Sequence, residues 1–208
     1  MISRVQRLYT AIEETEETDI SRFMPTVTSD GKRVCFDCDW RGGRSDAGLA
    51  NTVHILIYNI ANLKDPLKKW ADRNGKDKTK VYNAFKNSLA LRIIKDLSNN
   101  DRHGYNPKKL GNSRRSPRVD NITTVMQMTT KREKGSSVGL TFNRQGVPRV
   151  AGPGTAKVII TGDILDRDGN KIGDLHKTIL EAVEVWESVL DDFDAELQSI
   201  STSISQNI

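Results

Sequence analysis

LALRIIKDLSNNDRHGY, Leu89 to Tyr105, carries an apolar helix into the one cluster of side chains with candidate chemistry. Leu89 to Leu97 has too few polar positions for a solvated face, so this end of the helix is expected deep between neighbouring helices. Ser98, Asn99, Asn100, Asp101, Arg102, His103 and Gly104 follow at once. Asn and Asp compete for helical hydrogen bonds and glycine permits a left-handed stop, so the helix should end near Gly104, with Pro107 barring continuation. His103 then stands at a helix C-terminus, on the rim of the core.

Upstream, Leu49, Val53, Leu56, Ile60, Leu63, Leu67 and Trp70 alternate steps of four and three, which predicts a long helix opened by Ser45 as N-cap. Pro66 should kink that helix or divide it in two, and Asn74-Gly75 should end it. Asp77 or Thr79 opens a third helix through Val81, Ala84, Phe85, Ser88 and Leu89, so the two form an antiparallel hairpin. At the N-terminus Ile2, Val5, Tyr9 and Ile12 share one face of a first helix whose other face carries Glu13, Glu14, Glu16 and Glu17. Residues 26–44 read as a β-hairpin or an irregular loop.

Downstream the period changes. Ile122 to Thr130, Val138 to Asn143 and Lys157 to Asp166 are rich in Thr and Val and read as strands, with Ile164 and Ile172 flanking a last hairpin turn at Asp168-Gly169. Asp174 caps a final helix, in which Ile179, Val183, Trp186, Leu190, Phe193, Leu197, Ile200 and Ile204 again alternate four and three. The expected fold is therefore mainly α: a single-domain helical bundle with residues 119–173 inserted as a small antiparallel sheet. The C-terminal seam either packs on the Leu49 to Trp70 helix or, through residues 179–204, joins a second copy or a partner protein. In the second case the chain would be a scaffold or regulatory protein.

A net charge of +5 and a pI near 9.2 suit contact with a polyanion, and the charge is unevenly spread. Arg102, Lys108, Lys109, Arg114, Arg115 and Arg118 stand in a stretch with no acid at all. With Gly111, Ser113 and Ser116 between them, they suggest a mobile arm for phosphate contacts, beside which Tyr105 could stack on a base. No apolar run reaches the length of about 20 residues that a membrane span needs, and no secretory leader is apparent, so a cytoplasmic location is expected. Cys35-Phe-Asp-Cys38 has no second pair at zinc spacing, and Asp166-Arg-Asp-Gly-Asn170 lacks the Gly and Glu of a calcium loop. No metal or cofactor is expected. His54, beside a helical seam, and His176, opening a helix, read as packing or solvated residues.

Around His103 the text Leu97-Ser-Asn-Asn-Asp-Arg-His-Gly104 resembles the signature of HEPN domains, over roughly Ser45 to Tyr105. Asn99 and His103 match the family's polar and histidine positions, whereas Ser98 stands where its arginine belongs. The resemblance implies RNA rather than DNA as ligand, a dimer, and a setting in host defence or toxin systems. If catalytic, the chain would be a metal-independent endoribonuclease in which His103 handles the proton of a ribose hydroxyl and Arg102 steadies phosphate charge, with Asn99 beside them. Arg102 points about 100° round the helix from His103, and Arg92 lies about 16 Å away by helical rise, within reach only across a dimer. The alternative is structural: His103 and the asparagines cap the helix, and Arg102 bonds its terminal carbonyls.

Overall fold

The computed structural model describes residues 2–104, 109–130 and 132–193. Helix α1 (Ile2–Glu13) buries Val5, Leu8, Tyr9 and Ile12 at the spacing expected of one face. Thr15 turns the chain by donating its hydroxyl to the Ile12 carbonyl at 2.7 Å, and a two-residue strand β1 (Glu16–Glu17) follows. After a 3-10 turn at Ile20–Arg22, β2 (Thr26–Ser29) and β3 (Val34–Asp37) form an exposed hairpin, the first of the two expected forms.

Four helices come next: α2 (Asp46–Ala61), α3 (Lys64–Arg73), α4 (Lys78–Asn87) and α5 (Leu89–His103). The Ser45 side chain caps α2 by accepting the Gly48 amide at 3.1 Å. The long seam does divide, at Asn62 and Leu63, which leaves Pro66 in the first turn of α3 where an N–H would have no helical partner. The expected third helix is two helices. Ser88 adopts an extended conformation, ends α4, and caps α5 by accepting the Leu91 amide at 3.1 Å.

The second half supplies β4 (Arg118–Thr130), β5 (Gly139–Phe142), β6 (Pro148–Ala151), β7 (Gly154–Leu165), β8 (Lys171–Asp174) and α6 (Leu175–Asp191). Strand β7 is the axis of a four-stranded antiparallel sheet: β4 pairs along its whole length, while β1 and β8 share the opposite edge. Ala156, Val158, Ile160 and Ile164 point to one side at a period of two and are buried. Ile160 and Ile164 belong to the same core cluster as Leu56, Ile94, Leu175 and Trp186, and each contributes about 1.5–3 kcal/mol by leaving water.

That continuity corrects the expected fold class. The chain is a mixed α+β protein with several antiparallel sheets, not a mainly helical bundle carrying a small insert. The main sheet also reaches outside residues 119–173, because β1 comes from the acidic run after α1. Short edge strands carry no alternating apolar pattern and are set by pairing with β7, as Glu16 opposite Ile159 shows. On α6, Ile179, Val183, Trp186 and Leu190, with Phe193 just beyond, are all buried in this core, and the Trp186 indole donates to the Ile60 carbonyl at 3.3 Å. Leu197, Ile200 and Ile204 lie outside the described residues. Among the described residues, no helix is long and apolar enough to cross a membrane.

Candidate nucleic-acid interface

Helix α5 ends where its sequence says it should: His103 is the last helical residue and Gly104 follows at φ 75°, a conformation that favours glycine. His103 is exposed, Asn99 is half-buried, and neither makes a side-chain hydrogen bond with the described residues. Asn100 donates to the Pro117 carbonyl at 2.8 Å, so the neighbouring asparagine is the one used to fix the turn. Tyr105 and Lys108 lie outside the described residues.

The basic loop after α5 is anchored by a buried carboxylate. Asp96, 2% exposed, accepts four hydrogen bonds from it: the Asn112 amide and side chain at 2.7 Å each, and the Ser113 amide and hydroxyl at 2.6 Å each. Gly111 passes so close, at φ 66°, that a Cβ there would stand 2.6 Å from the carboxylate. Ser113 and Ser116 are buried as well. Such a network satisfies the acceptors of a buried carboxyl group from the loop itself and holds the backbone to one path. The expectation of a mobile arm therefore fails over residues 109–118. Lys109, Arg114 and Arg115 are exposed on it. Arg115 accepts the Arg167 amide through its carbonyl at 3.1 Å, and Arg118 donates to the Asp166 carbonyl at 3.4 Å, tying this stretch to the β7–β8 turn. The carboxyl of Asp166 is held below its ordinary range, first by the Asn170 amide and in smaller part by the charge of Arg115.

Arg102 faces elsewhere. Its guanidinium lies over the ring of Tyr58 from α2, 4.4 Å from the centroid, close enough for a cation–π contact. Together they line a groove of about 500 Å³ with Arg4, Asn62, Asp65, Pro66, Lys69, Trp70 and Arg73. A smaller recess of about 160 Å³ continues past Tyr58, Arg4 and Asn62 to Arg7 and Asn59. None of Lys109, Arg114, Arg115 or Arg118 lines either space. Among the described residues, no carboxylate forms an ion pair with Arg4, Lys69, Arg73 or Arg102. On the neighbouring turns of α2 and α5, the His54 Nδ1 sits 3.3 Å from Asp101.

Of the expected site residues that lie among the described ones, the structure thus brings one, Arg102, into a shared concavity, whereas Asn99, His103, Lys109, Arg114, Arg115 and Arg118 do not line it. The partners of Arg102 come from α1, α2 and α3. A signal for them exists in the sequence: Tyr58 falls off the Leu56, Ile60, Leu63 seam and so is an aromatic on a solvent face. The segment from Tyr58 to Gly104 also holds eleven lysines and arginines against five aspartates, an excess larger than the net charge of the whole chain.

Elsewhere, His176 on α6 is buried, and its Nε2 lacks a hydrogen bond and stands 3.5 Å from Glu16, which also accepts from Lys157 at 2.8 Å. Burial lowers its pKa, overcoming the opposite pull of the Glu16 charge. Among the described residues, no three His, Cys, Asp or Glu side chains converge as ligands for a metal. Compared with protein-family models, curated proteins and solved structures, the chain matches none.

Proposed function

We propose that this chain binds nucleic acid, RNA in preference to DNA, in the groove where α1, α2, α3 and the end of α5 meet. The supporting observation is the set of cations without acidic partners, Arg4, Lys69, Arg73 and Arg102, gathered round an exposed tyrosine. Cations already paired with carboxylates gain little by meeting phosphate, whereas these keep their full charge for a polyanion. The preference for RNA follows the HEPN resemblance around Asn99 and His103. Titration of a labelled oligonucleotide over rising salt tests the reading. Affinity should fall steeply with ionic strength, with a logarithmic slope of roughly −0.7 for each phosphate neutralised on a single strand. No salt-sensitive binding to single- or double-stranded nucleic acid at low ionic strength removes the proposal.

A catalytic version is favoured by the exposure of His103 one residue from Arg102. An imidazole there can take the proton of a ribose 2′-hydroxyl as that oxygen attacks the adjacent phosphorus. The bond from phosphorus to the 5′-oxygen breaks, that oxygen takes a proton from water, the imidazolium returns its own proton to solvent, and a 2′,3′-cyclic phosphate remains. This metal-independent endoribonuclease would cut RNA in the presence of a chelator and lose activity in a folded His103→Ala protein. Equal cutting by that variant sinks the catalytic version and leaves binding intact.

A further inference from the structure

We infer that the groove takes a single strand, with one unpaired base stacked on Tyr58, and that it excludes a double helix; this rests on the nucleic-acid reading above. Tyr58 is 49% exposed and is the aromatic side chain that lines both the 500 Å³ groove and the 160 Å³ recess, together with Arg4 and Asn62. It is also held in place. The Arg102 guanidinium lies over the ring, 4.4 Å from its centroid, so part of its rotational freedom is already given up before a base arrives.

Charge lines both spaces that the ring borders. Arg4 belongs to both, Arg7 to the recess, and Lys69, Arg73 and Arg102 to the groove, so a phosphate chain crossing Tyr58 meets cations in either space. Asn59 and Asn62 add amide groups that can donate to and accept from a base edge. A duplex offers the opposite surface. Its π-faces are hidden in the stack and its phosphates lie on a broad convex cylinder that a concavity of this size does not admit, whereas aromatic stacking on a basic groove is how strands without partners are held.

The test uses the full chain with three labelled probes: a ten-nucleotide single strand, the same sequence as a duplex, and heparin, a polyanion without bases. The single strand should bind at least about tenfold more tightly than the duplex. Tyr58→Leu should weaken it roughly 5- to 150-fold, the range of one lost base stack, while heparin binding stays unchanged. Tyr58→Phe, which keeps the ring, should retain most of the affinity, so that a general folding defect is distinguished from a lost stack. Equal affinity for duplex, or a Tyr58→Leu protein that binds the single strand as well as the original, overturns the inference while the nucleic-acid reading stands. Failure to bind any of the three overturns both.

Discussion

Two basic surfaces leave the end of α5, and they are built in opposite ways. In the loop 109–118 the cations are adjacent in sequence, but the backbone beneath them is fastened to Asp96 and the β7–β8 turn. In the groove the cations come from two separate helices, α1 and α3, and from the end of α5, and no described carboxylate pairs with them. An acid-free run in a sequence says which residues lack acidic neighbours along the chain. It does not say what their backbone is committed to, nor which charges meet across helices. The first surface is framework that displays charge, and the second is a concavity that concentrates it.

The largest effect expected from breaking this contrast is on stability. Asp96→Ala leaves four donors of residues 112 and 113 without their acceptor in a buried setting, at a cost of about 3 kcal/mol or more in urea unfolding. Gly111→Ala should act the same way more weakly, by about 1–3 kcal/mol, because its Cβ enters the carboxylate and its φ is positive. In whatever fraction of Asp96→Ala remains folded, affinity for a single strand should stay within about twofold, since no residue of the loop lines the groove. A folded variant that no longer binds would show the loop to be the contact surface.

Next in size is the exchange of charges between the two surfaces. Arg4→Ala with Arg73→Ala should weaken binding about tenfold or more at low salt and flatten the salt dependence by the slope of two phosphate contacts. Arg114→Ala with Arg115→Ala removes the same formal charge and should cost only a few-fold, through the long-range field. If the second pair costs more than the first, the ranking of the two surfaces is reversed.

Much of the helical layer was legible because its cause is local. Ser45, Asp77 and Asp174 each accept an amide at the N-cap position expected of them, and Gly104 supplies the stop for α5. The break at Ser88 was hidden, since apolar residues continue on both sides and only an extended backbone at one position separates α4 from α5. The sheet's place in the core was hidden for another reason: β1 is two glutamates, and nothing local to Glu16-Glu17 announces a pairing with Ile159 and Val158 far along the chain. For the site, Arg102 was found through its helix end. Arg4, Lys69 and Arg73 were not, because the packing of α1 and α3 around α2 makes them neighbours, and Asp96 read as one polar residue in an apolar run.

The smallest effect separates the groove from the sheet. His176 is buried against Glu16, Lys157 and Asp174, and its pKa is lowered chiefly by desolvation, with the Lys157 charge adding to that and the two carboxylates opposing it. The unfolded chain therefore binds a proton more readily at this residue than the folded one does, so stability should fall as the pH drops from the ordinary imidazole value near 6.5 towards the lower folded value. Above that window the contribution is fully present. Urea unfolding at a series of pH values should show this acid loss in the original protein and a flatter profile in His176→Gln, which keeps a polar group but cannot titrate. Because His176 lines neither the groove nor its recess, the substitution should leave salt-dependent binding at neutral pH unchanged. An unchanged acid profile in His176→Gln would mean that the imidazole is hydrated or already charged in the folded chain. A shift in binding would mean that the sheet and the groove are coupled through the core they share, and the contrast between framework and site would then have to be drawn elsewhere.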